Sequence, residues 1–249
     1  MNSSPVWQAP RLWRALLVVA RMLVFPLARL EVSGGLPERL RGGPVILAAN
    51  HISPFDPVIV AAACHKVGIV PRFMATGGVF RAPVVGSLMR HCGHIRVDRN
   101  TTHVADALPA AAKALEQGSV VLVYPEGRIG LDPWMWPERG KTGAARMAQM
   151  SGAPVLALAQ WGTHAVVPYA APKGLARALV RAVFTRPVVR VRFGDAPVEL
   201  HDERPLQATQ LIMEAVDAAL TPLRRDEMRM PRVVDVSRPD DSSRVRPRD

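Results

Sequence analysis

Three uninterrupted apolar runs constrain this chain more than any other feature: residues 44–49, 119–124 and 154–159. Each is short, rich in branched side chains and closed by turn formers. That is how a strand covered on both faces reads, since neither face has to meet water. Shorter strand patterns stand at 68–75, 94–98 and 187–193, and helical patterns at 58–66, 82–91, 102–117, 141–150 and 205–223. Apolar strands alternating with helices predict an α/β fold, a largely parallel central sheet with helices on both faces. The domain is expected over residues 31–223. A separate N-terminal helix precedes it, through residue 30. From residue 224 onward the sequence is polar and arginine-rich, so a disordered basic tail is expected over 224–249. No internal repeat is visible.

In such a sheet, ligands bind beyond the carboxyl ends of the strands. The first apolar run leads directly into Asn50-His51-Ile52-Ser53-Pro54-Phe55-Asp56. Asp56-Pro57 reads as a helix entry, with Asp at the N-cap and Pro at the first helical position. His51 then sits on a strand-to-helix loop, where a side chain can meet a substrate while its flanks hold it still. If Ser53-Pro54 turns the loop, Asp56 can accept a hydrogen bond from one imidazole nitrogen. The tautomer is thereby fixed, and the second nitrogen is left to take a hydroxyl proton. Alone, a His and an Asp at this spacing are more often a packed histidine beside a helix cap. Other strand ends give the pair its weight.

Arg96 and Arg99 sit in or after the 94–98 strand, and Tyr124-Pro125-Glu126-Gly127-Arg128 follows the second apolar run. A guanidinium offers phosphate oxygens a planar fork of donors. Gly127 lets the backbone approach a ligand, and Glu126 can hold an arginine or accept from a substrate hydroxyl. Arg139-Gly140-Lys141-Thr142-Gly143 opens the next helix, adding a cation. Any one of these cations is usually a solvated surface group. Their shared placement at strand ends is what points to an anion.

The N-terminal stretch 7–28 is apolar but broken by Arg21, so it does not read as a membrane span. On a helical projection Arg11, Arg14 and Arg21 fall within an arc of roughly 80°. Leu12, Leu16, Leu23 and Leu27 lie toward the other side, and Trp7 and Trp13 mark the start. Such a helix suits a membrane interface, its bland alternative being an amphipathic cover for the core. Lys plus Arg number 32 against 21 Asp plus Glu, a net charge of +11. That field favours anionic partners such as a negatively charged membrane or phosphorylated substrates. Nucleic acid is not expected, because acidic residues dilute the tail and no aromatics interleave with it. The two cysteines, Cys64 and Cys92, lack metal-ligand spacing and suggest a reduced, cytoplasmic-side setting. No metal site and no glycine-rich nucleotide loop is present in the pattern.

Taken together, these segments resemble the glycerolipid acyltransferase family of the 1-acylglycerol-3-phosphate acyltransferase type. Asn50, His51 and Asp56 match the family's Asn-His-x-x-x-x-Asp. The stretch from Gly93 to Arg99 matches its second motif, and Tyr124-Pro125-Glu126-Gly127-Arg128-Ile129 resembles its Phe-Pro-Glu-Gly-Thr-Arg. The segment 153–158 resembles its fourth motif, and Lys141-Thr142-Gly143-Ala144 its Lys-x-Gly-Ala. Ile129 stands where the family has arginine, and Arg128 one place earlier.

The resemblance implies acyl transfer from acyl-CoA or acyl carrier protein to a lysophospholipid hydroxyl, with no cofactor beyond that donor. His51 would act as general base oriented by Asp56. Asn50, Arg96, Arg99, Glu126, Gly127, Arg128 and Lys141 would bind substrate, with Arg99 and Arg128 leading on the acceptor phosphate. The expected location is the cell membrane, peripheral or monotopic on the cytoplasmic side. Two other readings stay open: a non-catalytic protein that binds anionic lipid, and a lipid hydrolase.

Overall fold

In the computed structural model, which describes residues 7–98, 104–170, 174–227, 233–239 and 241–246, the three apolar runs become β2 (Val45–Ala49), β5 (Val120–Val123) and β6 (Val155–Trp161). The other strands are β1 (Arg29–Ser33), β3 (Pro71–Thr76), β4 (Ile95–Val97) and β7 (Val188–Phe193). The helices are α1 (Arg11–Leu27), α2 (Asp56–Lys66), α3 (Gly77–Arg81), α4 (Pro83–His91), α5 (Val104–Glu116), α6 (Gly143–Ser151), α7 (Thr163–Val166), α8 (Leu175–Thr185) and α9 (Pro205–Leu220).

One seven-stranded sheet runs in the order β1-β7-β6-β2-β5-β3-β4. Every neighbouring pair is parallel except β6 and β7, which are antiparallel. The fold is therefore the mostly parallel α/β sheet expected. Alternate residues of the central strands feed two cores. Val45, Leu47 and Ala49 join Leu122, Leu158 and Phe193 under α1 and α2. Ile46 and Ala48 join Val121, Val155 and Ala157 under α5, α6 and α9. Burial on both faces is why these strands carry no polar alternation.

Several boundaries differ from the sequence pattern. The 82–91 helix is preceded by a separate short helix, α3, because Ala82 is extended ahead of Pro83, as the residue before a proline prefers. Asp56 is not the N-cap of α2: Phe55 holds that position, and Asp56 is the first helical residue. Its carboxylate is drawn back to the preceding loop by three donors, leaving it no part in capping.

Helix α1 both covers the core and faces outward. Trp13, Leu17, Ala20 and Val24 are buried, and the Trp13 indole donates to the carbonyl of Pro71. The opposite side exposes Leu12, Val18, Val19, Met22, Leu23 and Phe25. No helix among the described residues is long and apolar enough to cross a membrane.

The tail expected from residue 224 lies partly outside the described residues. Where it is described, arginines attach it to the domain, and Val233 packs against the core beside them. The buried Arg224 guanidinium lies 3.9 Å from the ring centre of Trp136 and 3.8 Å from that of Trp161. Arg238 and Arg244 reach the loops at the carboxyl ends of β2 and β5.

Candidate active site

Strands β2 and β5 are parallel neighbours, with Ala48 opposite Val123. Their carboxyl ends therefore deliver His51 and the Tyr124–Gly127 turn to one place. His51 Nδ1 lies 2.7 Å from Asp56 Oδ2, with the imidazole 15% exposed and the carboxylate fully enclosed. A carboxylate can only accept here, so Nδ1 carries the proton and Nε2 offers its lone pair. The same Asp56 oxygen accepts from the backbone N–H of Ile52 at 2.6 Å and of Ser53 at 2.8 Å. Below the ring, Tyr124 stacks on His51 with centres 4.1 Å apart and planes 18° from parallel.

Glu126 is buried and braces this loop. The N–H of His51 donates to its Oε1 at 2.9 Å, and the N–H of Glu138 to its Oε2 at 3.1 Å. Burial raises the Glu126 carboxyl to about 8, even though these two donors and Arg244 pull it down. Glu126 thus positions backbone and does not line the cavity. Gly127, in contrast, does line it. Its φ of +70° is left-handed, and an added Cβ would stand 3.1 Å from Lys141 Cδ. Glycine here lets the Lys141 stem lie against the turn. The N–H of Lys141 donates to Pro125 O at 2.8 Å, fixing that approach.

The cavity has a volume of about 560 Å³. His51 stands on its wall with Met74, Val79, Val97, Leu108, Val123 and Met147, while Lys141, Thr142 and Arg146 supply polar groups. An apolar chamber holding one imidazole and two cations can take a molecule with a hydrocarbon body and an anionic part. Among the described residues no group of three or more His, Cys, Asp or Glu converges as a metal site would require.

The other residues singled out in the sequence fall in different places. Asn50 is buried away from the cavity. Its side chain donates to Gln160 O at 3.0 Å and accepts from Gln160 N at 2.8 Å, extending the β2–β6 ladder by one rung. Arg96 is exposed and bound to Asp98 at 2.8 Å. Arg128 also does not line the cavity. It pairs with the buried Glu138 at 3.1 Å and with Asp241 at 2.9 Å. Arg99 lies outside the described residues.

Three contributors were not singled out from sequence. Arg146 sits three residues into α6, on a helix of which only the opening at residues 139–143 was read as facing an anion. Tyr124 was placed in a motif but given no part. Gln160 lies 110 residues from the Asn50 it holds, and no local signal could have joined them.

Comparison with known proteins follows the same lines. A family model described as Acyltransferase matches residues 29–161. A chloroplastic 1-acyl-sn-glycerol-3-phosphate acyltransferase of Brassica napus is 25% identical over 172 residues, covering 68% of this chain and 48% of that protein. An uncharacterized protein of Mycobacterium leprae is 28% identical over 152 residues, 56% of this chain and 38% of that one. The chain thus spans less than half the length of either relative. The crystal structure of the 1-acyl-sn-glycerophosphate acyltransferase PlsC from Thermotoga maritima superposes with a TM-score of 0.63 at 20% identity, covering 85% of this chain and 81% of that one. That last likeness is one of fold. The matched residues run from β1 to the end of β6 and include the whole His51 and Glu126 constellation, so this chain belongs to the acyltransferase family.

Proposed function

We propose that the protein transfers an acyl group from an acyl thioester, acyl-CoA or acyl carrier protein, to the free hydroxyl of a lysophospholipid. The leading acceptor is 1-acylglycerol-3-phosphate. One observation carries this reading: the His51 imidazole, anchored through Nδ1 to Asp56 at 2.7 Å, stands on the wall of an apolar cavity of about 560 Å³.

Nε2 takes the acceptor's hydroxyl proton as its oxygen attacks the thioester carbonyl. A carbon–oxygen bond forms, the tetrahedral intermediate collapses, and the carbon–sulfur bond breaks. The departing thiolate recovers the proton from the imidazolium, which the Asp56 carboxylate has stabilised meanwhile. A positioned base of this kind supplies about 10²–10⁴-fold, and holding the two substrates together supplies much of the rest. The apolar wall suits an acyl chain, and Lys141 with Arg146 suits an anionic head.

A second acceptor reading has its own observation. Arg96 and Arg128, two of the three arginines expected for phosphate, are paired with Asp98 and with Glu138 and Asp241. An acceptor with a smaller or uncharged head would need only Lys141 and Arg146, or neither.

The enzyme is proposed to work at a membrane surface with anionic lipid, as a peripheral or monotopic protein. Supporting this, the outward face of α1 exposes Met22 and Phe25, and the neighbouring α8 exposes Val180, Val183 and Phe184. On α8 the exposed apolar residues lie beside Arg177 and Arg181, the arrangement of an interfacial helix.

A panel of acyl-CoA and acyl carrier protein donors against phosphate-bearing and neutral acceptors, with mass detection of the lipid product, tests the reading. Transfer to lysophosphatidic acid is expected. Acyl release to water with every acceptor would make the protein a hydrolase, and transfer only to neutral acceptors would establish the second reading.

A further inference from the structure

Arg238 lies 186 residues beyond the loop of the catalytic base, yet its side chain is fully enclosed there. One arm of its guanidinium donates to the carbonyl of Ile52 at 2.5 Å. The other donates to the carbonyl of Gly130. Asp235 holds its Nε at 3.1 Å, and the ring of Tyr169 faces it at 5.2 Å. Gly130 is itself tied to the base loop, since its N–H donates to His51 O at 2.8 Å.

The same segment touches the Glu126 loop again. Arg244 donates to Glu126 O at 2.8 Å and to Arg139 O, while the N–H of Arg139 donates to Arg244 O at 2.9 Å. Asp241 meets Arg128 at 2.9 Å, and Arg246 anchors the far end on Asp217 of α9. At the near end, the N–H of Asp235 donates to Pro133 O at 2.8 Å.

We propose that this segment, residues 235–239 and 241–246, is a strap that assembles the active site, with Arg238 as the positioning residue of the catalytic loop. The hydrogen-bond pattern of that loop carries the inference. His51 N–H goes to Glu126, His51 O to Gly130, and the N–H groups of Ile52 and Ser53 go to Asp56. Ile52 O goes to Arg238 and the Ser53 hydroxyl to Val167 O.

Arg238 bridges two loops that belong to different strands of the sheet. Without its fork, two enclosed carbonyls lose their donor, and among the described residues the loops keep the Glu126 and Gly130 hydrogen bonds and the His51–Tyr124 stack. Arginine suits the task because its donors sit in a rigid plane, which one ammonium cannot copy. The strap does not touch the cavity, as none of its residues line it. Its effect is on the orientation of the base and not on substrate affinity.

The test compares full-length Arg238→Ala and Arg238→Lys with the parent protein. Activity as a readout rests on the acyl-transfer reading above, so amide hydrogen exchange is measured alongside it. In Arg238→Ala, the amides of Ile52, Ser53 and Gly130 are expected to exchange faster, with those of β2 unchanged. Because a misplacement of about 1 Å can cost about 10²-fold, kcat is expected to fall about 10- to 100-fold with donor and acceptor KM nearly constant. Arg238→Lys is expected to recover part of the loss.

Parental kcat in Arg238→Ala would overturn the proposal. So would faster exchange spread evenly through the sheet, which would make the strap a general stability element. Should the parent protein transfer no acyl group at all, the acyl-transfer reading falls. The exchange comparison at Ile52, Ser53 and Gly130 then decides the strap alone.

Discussion

In the proposed mechanism His51 and Asp56 do one job between them, so their loss should be non-additive. Replacing either by Ala is expected to remove about 10²–10⁴-fold of kcat, and replacing both little more; steady-state kinetics on the two single variants and the double variant check this. The cations should separate into two classes. Lys141→Ala and Arg146→Ala line the cavity and are expected to raise acceptor KM about tenfold or more, as the loss of a charge-assisted contact does. Arg128→Ala is expected to leave acceptor KM in place and to lower stability by about 1–2 kcal/mol, because it strips a partner from the buried Glu138. Denaturant midpoints beside KM values distinguish the classes.

Glu126 should leave a signature in pH. Its carboxyl is raised by burial from 4.5 to about 8, so the folded protein holds this proton more tightly than the unfolded chain. The stabilisation it contributes is full below about 4.5 and is lost as pH rises through about 8. Melting temperature should fall across that window in the parent protein, with the decline flattened in Glu126→Gln. The substitution should also cost stability at every pH, since an amide nitrogen must then face one of two backbone N–H groups.

At the level of elements, how legible each part was depended on its surroundings. Strands β2, β5 and β6 are buried on both sides and showed as plain apolar runs. Strand β1 went unread because Arg29-Leu30-Glu31-Val32-Ser33 sits at the sheet edge, with Arg29, Glu31 and Ser33 turned to solvent. Helix α8 went unread because its apolar stripe points away from the core, and only Ala182 is buried. The His51–Asp56 geometry was legible because its partners are five residues apart. The Asn50–Gln160 and Arg238–Ile52 bonds were not, because only the closed sheet brings those residues together. Ile129 in place of arginine was visible at once, but Arg128's commitment to Glu138 and Asp241 was not.

The outward faces of α1 and α8 carry their own prediction. Phe25→Glu with Met22→Glu on α1, and Phe184→Glu with Val180→Glu on α8, are each expected to reduce sedimentation with anionic vesicles without changing the melting temperature. Raising salt should weaken binding to anionic vesicles more than to neutral ones, since charge attraction is screened beyond about 10 Å at 0.1 M. Binding that survives all four substitutions would remove these helices from the interface.

Across the whole molecule, the sheet closes by joining the two ends of the domain. Strand β1 pairs with β7 along its full length, Arg29 opposite Val188 through Ser33 opposite Arg192. Chain order gives that pairing a timetable. As the polypeptide leaves the ribosome, β1 emerges 159 residues ahead of its partner. At about 5–20 residues per second, it waits on the order of ten seconds. Helix α8, which packs beside α1 in the finished protein, is equally late. Throughout that interval the apolar side of α1 is already exposed, while the strand tethered to it has no neighbour. Helix α2 follows soon enough to cover the inner side of α1, so the proposed membrane contact can begin on the outer side of α1 before the edge of the sheet exists.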